Sequence, residues 1–259
     1  CNSTLLGPLA IKKLEKKIEN IDIYMREKLS SVIDADTTKD KQFFLIGGSW
    51  RAIAKIHMQR VKYPLKIIQG YKVESKKLKK TLEFIQGSSF LSKNDKMNIS
   101  LGRLELLPQA ARLLEIIIDK FQIKLLTFSS FGVREGLIYE HLSVIDKKKD
   151  PLIEAAKFFE KKETRFPKMS KHAFNWISPL YENLPRKTKR VILAATKLHD
   201  IAWIAHPDYK TEMCLEIVTR SNISGISHKE RVFLAMILLF RHKANPEKIF
   251  NSKLFKIVP

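Results

Sequence analysis

Residues 43–54, Phe43-Phe44-Leu45-Ile46-Gly47-Gly48-Ser49-Trp50-Arg51-Ala52-Ile53-Ala54, decide how the chain is read. Four apolar residues make a short buried-strand signal, two glycines break it, and a helix resumes at Trp50. The same design returns at Leu125-Leu126-Thr127-Phe128-Ser129-Ser130-Phe131-Gly132, with a helix expected from Val133. A strand that turns through glycine into a helix aims unpaired backbone N–H groups at one spot, where a phosphate can sit. Glycine permits close approach, and Ser49 or Ser129 offers a hydroxyl. Arg51 and Arg134, each just past such a turn, are placed to clamp an anion through two bonds. Gly47, Gly48, Ser49, Arg51 and Arg134 are therefore the candidate phosphate-binding residues. Each turn taken singly also reads as an ordinary βα connection, and Arg134-Glu135 as a local ion pair. Gly-Gly-Ser is neither a P-loop nor a full dinucleotide fingerprint.

Working outward, residues 9–33 read as one amphipathic helix carrying Leu14, Ile18, Ile21, Met25 and Leu29 at helical spacing, closed by a polar turn at Asp34–Lys41. Tyr63-Pro64 and Gln69-Gly70 mark a loop, and helices are expected over 74–86 and 102–120. Pro108 should kink the second of these or delay its start. Residues 124–128 form the second strand. The run Lys147-Lys148-Lys149-Asp150-Pro151 punctuates the chain and divides it into domains 1–147 and 148–259. Beyond it every signal is helical, over 151–163, 170–182, 186–205, 208–221 and 227–241. Pro167, Pro179, Pro185, Pro207 and Pro246 fall near the ends of these helices. The expected fold class is α/β followed by all-α.

Among 259 residues, 48 Lys and Arg face 27 Asp and Glu, a formal charge of +21. Such an excess implies an anionic partner, such as nucleic acid, phospholipid headgroups or another polyanion. Only 12 of the cations are Arg, so a lysine-rich solvated surface is the plain alternative. No apolar run reaches the ~20 residues of a membrane span. Cys1 and Cys214 make no disulfide framework, which points to a reducing, cytoplasmic setting. The chain opens on Cys1 rather than Met; the expectation is a start partway through a longer protein, with an acylated cysteine as the alternative.

Leu198-His199-Asp200-Ile201 places a His beside an Asp in an apolar helix, with His172 before it and His206 and His228 after. A divalent metal would draw on His172, His199 and Asp200, but neighbouring helical residues diverge and no final carboxylate joins them. The expectation is no metal there. Nucleophilic catalysis finds no Gly-x-Ser-x-Gly and no Cys beside a His.

Three motifs together resemble the exopolyphosphatase / guanosine-pentaphosphate phosphatase (Ppx/GppA) family, in its bacterial exopolyphosphatase branch. Leu45-Ile46-Gly47-Gly48-Ser49-Trp50-Arg51-Ala52-Ile53-Ala54 looks like the family's "GGTWRALA", continued by His57-Met58 and Tyr63-Pro64-Leu65. Gly132-Val133-Arg134-Glu135-Gly136-Leu137-Ile138-Tyr139 resembles "GVREGLLY". Asp200-Ile201-Ala202-Trp203-Ile204-Ala205-His206-Pro207-Asp208-Tyr209 resembles "DIAWRAHPDY". The similarity runs from about Leu5 to about Arg241, and the order and spacing of three motifs make it specific.

The resemblance implies a phosphotransferase of the actin-like superfamily that hydrolyses the terminal phosphoanhydride of inorganic polyphosphate, some members also that of pppGpp, with Mg²⁺. It implies two ribonuclease-H-like domains followed by a helical domain distantly like the HD hydrolases, commonly as a homodimer. The sequence departs from the family at its centre. The first domain's glycine-rich loop, the glutamate proposed as base and the second loop, Asp-x-Gly-Gly-Gly-Ser, have no counterpart among these residues. Leu5-Leu6-Gly7-Pro8-Leu9 resembles the "LPLG" that follows that second loop. The expectation is thus an incomplete second ribonuclease-H-like domain and an HD-like domain, inactive alone. An N-terminal half chain is the expected partner, and Phe43–Ile46 is expected at an exposed sheet edge. A basic module that binds polyphosphate or nucleic acid without hydrolysis is the alternative.

Overall fold

The computed structural model describes residues 4–32, 42–88, 90, 99–242, 254 and 257. Cys1, the turn expected at Asp34–Lys41 and Pro246 lie outside the described residues. The chain divides into two compact units, residues 1–63 with 68–134, and residues 64–67 with 135–259.

The first unit opens with α1 (Pro8–Leu14) and α2 (Ile21–Ser30) rather than one helix. Asn20 is the reason: its side-chain oxygen accepts from the Ile23 amide at 3.2 Å and starts a new helix. The core face continues across the break, since Ile11, Ile21, Met25 and Leu29 are all buried. Then follow β1 (Phe43–Ile46), α3 (Gly48–Arg60), β2 (Tyr71–Glu74), α4 (Ser75–Gln86), α5 (Leu101–Leu104), α6 (Leu107–Lys120) and β3 (Leu125–Ser129). Pro108 sits in the first turn of α6, where its missing N–H costs nothing, so it sets a start instead of a kink.

The three strands form a sheet in the order β1-β3-β2. β1 runs parallel to β3, with Leu45 opposite Phe128, and β2 runs antiparallel to it, with Tyr71 opposite the same Phe128. Strand period two then puts Leu45, Leu126, Phe128, Tyr71 and Val73 on one face, all buried. Helices α3, α4 and α6 supply the matching apolar stripes, including Ile53, Ile56, Leu78, Leu82, Leu107 and Leu114. Each such side chain contributes about 1.5–3 kcal/mol by leaving water. β1 is an end strand of the sheet, and on its other face Phe44 and Ile46 are exposed. β2 was not expected from sequence: its alternation is four residues long and runs straight into α4.

His57 on α3 is buried in this core, with Nδ1 at 2.7 Å from the Tyr71 hydroxyl and Nε2 at 3.3 Å from the Lys77 carbonyl. A carbonyl only accepts, so Nε2 carries the hydrogen and the Tyr71 hydroxyl donates to Nδ1. Burial lowers the His57 pKa and pushes those of Tyr63 and Tyr71 up, Tyr63 to about 12.

Helix α7 (Val133–Glu140) carries the chain across the division between the units. The elements beyond it are α8 (Val144–Lys147), α9 (Pro151–Glu163), α10 (Met169–Trp176), α11 (Ser178–Tyr181), α12 (Arg186–Lys197), α13 (Pro207–Arg220) and α14 (His228–Arg241). Leu152, Val191, Leu198, Val218, Leu234 and Leu238 are core members shared among α9, α12, α13 and α14. Arg231 is 1% exposed and donates to the carbonyls of Val218, Ser221 and Ile223, pinning the turn after α13. Burial lowers its pKa to about 10. Asp150 caps α9 through the amides of Leu152 and Ile153 and also accepts from Arg190, which reaches on to Glu230 at 3.0 Å.

Two helices expected here are shorter than their periodicity suggested. The span 170–182 breaks at Ile177 into α10 and α11, because Pro179 fits only a fresh helix start. The span 186–205 ends at Lys197, and residues 198–205 form turns with Ala202 at φ +63°. His199 and Asp200 therefore lie after a helix and not within one.

Candidate functional site

Gly47 ends β1 with φ +137° and ψ +166°, a conformation that is essentially reserved for glycine. That lets the chain turn at once into α3, whose first ladder bond is Arg51 N to Gly47 O at 3.1 Å. The amides of Gly48, Ser49 and Trp50 precede that bond and so lie outside the helical ladder. Beside them is a cavity of about 290 Å³ lined by Gly48, Arg51, Ala52, Lys55, Ile68, Ile99, Arg103 and Ser130.

Arg51 is the structural centre of this cavity. Its Nε donates to the Gly47 carbonyl at 3.2 Å and its Nη1 to the Ser130 carbonyl at 3.3 Å. One guanidinium thus ties the first glycine turn to the end of β3, as parallel pairing of β1 and β3 brings them side by side. Arg103 arrives from α5, its guanidinium 3.3 Å from where a Cβ on Gly48 would stand. Among the described residues Arg103 and Lys55 form no salt bridge, so the lining carries three cations and no carboxylate. Such a lining suits an anion, and Ala52, Ile68 and Ile99 are its apolar members.

The second turn is built differently. Gln69 Oε1 accepts from the Ser130 amide at 2.8 Å, the Ser130 hydroxyl at 3.1 Å and the Ser129 hydroxyl at 3.1 Å. Ser129 Oγ accepts in turn from the Phe131 amide at 3.1 Å. These donors are occupied by Gln69, from the loop before β2, and by Ser129, which leaves the first turn as the open one. Of the five residues expected from sequence, Gly48 and Arg51 line the cavity, Gly47 sets the turn, and Ser49 lies in the first turn of α3. Arg134 is exposed at the start of α7 and is not among the lining residues. Arg103, Lys55 and Gln69 were not singled out as site residues from sequence, because Arg103 and Gln69 stand far along the chain from the turns they meet and Lys55 is one lysine among many.

Residues 7–144 match the Ppx/GppA phosphatase family. The chain belongs to this family. A second match, to the exopolyphosphatase C-terminal domain, covers residues 183–258. No curated protein matches the chain.

The Ppx/GppA family is typically dependent on a divalent metal. Mg²⁺ is held by one or two carboxylates together with substrate phosphates. The cavity lining of this Ppx/GppA chain offers neither a carboxylate nor a neutral nitrogen ligand, so it does not fit a protein-held Mg²⁺. Among the described residues no group of three His, Cys, Asp or Glu side chains converges. His172 is exposed on α10, and His199 Nδ1 bonds the Thr196 carbonyl at 2.7 Å. Asp200 is buried with both oxygens on Arg165, at 2.7 and 2.9 Å, and also accepts the Arg165 amide at 3.1 Å. Those bonds to Arg165 hold the Asp200 carboxyl down to about 2. In this chain Asp200 therefore anchors a turn. Among the described residues no helix is long and apolar enough to cross a membrane.

Proposed function

We propose that this chain binds the phosphate end of inorganic polyphosphate, or of pppGpp, in the cavity at the start of α3, and that it is the C-terminal part of an exopolyphosphatase. The observation that carries the reading is the meeting of Arg51, Lys55 and Arg103 around Gly48 with no carboxylate in the lining. Arg51 and Arg103 supply planar donor forks, Lys55 a point charge, and the free amides of α3 complete the cradle. Phosphoryl transfer further requires an attacking water aligned by a base and a site for the metal. The lining supplies neither, so the chain binds but does not turn over alone. A partner chain bearing the two glycine-rich loops and the glutamate would supply the base and the metal ligands that this lining lacks.

On this reading residues 1–147 are part of a ribonuclease-H-like domain, 148–259 an HD-like one, and the protein works in the cytoplasm as a homodimer. The test is phosphate release from long-chain polyphosphate with Mg²⁺ by the purified, folded chain, alongside a binding assay. Binding without release, and release on adding a loop-bearing N-terminal half, is the expected pair of results. Turnover by the chain alone overturns the inactive reading. Absence of binding overturns the cavity assignment. The charge of +21 favours one second reading, a binding module that never acquires hydrolysis, in which the added half changes nothing.

A further inference from the structure

The second unit carries a surface that the phosphate cavity does not account for. On α9, Phe158 is 56% exposed and the Lys162 ammonium lies over its ring, 4.6 Å from the centroid. Residues 158 and 162 are one helical turn apart, on one side of the helix. Just past the end of α9 comes Arg165, whose guanidinium carbon is 5.7 Å from the Phe166 ring centroid and 5.8 Å from that of Trp203. Asp200 fixes the guanidinium with two bonds, and both rings lie within cation–π reach of it. Both rings nevertheless face water: Phe166 is 60% exposed and Trp203 42%. Exposed Lys168 follows at once, and residues 151–190 hold ten Lys and Arg against four Asp and Glu.

We infer that this strip, from Phe158 through Lys162, Arg165 and Phe166 to Trp203, binds single-stranded nucleic acid. The argument is the pairing of open rings with cations. A bare polyphosphate uses cations but gains nothing from an exposed ring. An aliphatic protein surface uses rings but not a net positive border. Unpaired bases use both, stacking on aromatic faces while their phosphates meet the lysines. Arg165 is neutralised by Asp200, so its part is to position the rings, and Lys162 and Lys168 take the phosphates. No base-edge reader stands among these groups, so binding should be indifferent to sequence.

The test uses the full chain and a fluorescent oligothymidylate, compared with an abasic oligomer of equal length and with long-chain polyphosphate as competitor. The oligothymidylate is expected to bind about tenfold or more tightly than the abasic strand, as stacking adds to charge. Phe166→Ala with Trp203→Ala should erase that difference and leave polyphosphate binding unchanged. If that double variant does not fold, Phe158→Ala, at an exposed ring, should narrow the difference by itself. Equal affinity for base-bearing and abasic strands overturns the inference, reducing the surface to charge alone. A preference for bases that survives the ring substitutions overturns it too, by moving the site elsewhere.

Discussion

Arg51 and Arg103 meet the same cavity on different terms. Arg51 spends two donors on main-chain carbonyls before any ligand arrives, whereas Arg103 lies exposed over Gly48 without an acidic partner among the described residues. Arg51→Ala should therefore cost about 1–3 kcal/mol of stability as well as phosphate affinity, since bonds from a charged donor are lost. Arg103→Ala should leave stability within about 0.5 kcal/mol of the parent and still weaken polyphosphate binding about tenfold. Thermal melts and a binding titration on both variants check the split; equal destabilisation by the two would place Arg103 in the framework. Arg51 was legible in the sequence because it stands four residues beyond Gly47, within the same local motif. Arg103 was not, because α5 must first fold against the sheet's helices before its guanidinium reaches Gly48.

Elements set by local chemistry were read well, and those decided by a distant partner were not. β1, β3 and the start of α6 follow from apolar runs, glycines and Pro108. The break at Asn20 needed a cap, and the turns at 198–205 needed Arg165 to hold Asp200 from another element. That last contact has a pH signature. Hydrogen bonds from Arg165 depress the Asp200 carboxyl to about 2, below its ordinary value near 3.8. A depressed carboxyl gives stability that is complete above the ordinary value and is lost as pH falls through the folded one. The gap in melting temperature between parent and Asp200→Asn should hold steady from neutral pH to about pH 5 and shrink between about pH 4 and 2. A gap that closes instead near neutral pH would show that some other group governs this turn.

For the molecule as a whole the dominant quantity is charge. If only the cavity's three cations engage, binding of tripolyphosphate should fall with a log–log salt slope of about 2–3. Long-chain polyphosphate can reach further lysines, and its slope should be clearly steeper. Titrations of both ligands across a salt series measure this, and identical slopes would confine binding to the cavity. The excess of cations was visible in composition, but composition distributes charge evenly; the fold brings Arg103 of α5 to Arg51 and Lys55 of α3.

The link between the two turns carries a consequence for how such a chain drifts over generations. Arg51 reaches Ser130 through a main-chain carbonyl, an atom every amino acid shares. Replacement of Ser130 leaves that acceptor in place, whereas replacement of Arg51 removes the bond outright. The tie is therefore inherited through one codon rather than two. Related sequences should keep arginine at the first turn while the residue at position 130 varies beside it, with no compensating change to betray that the two are joined.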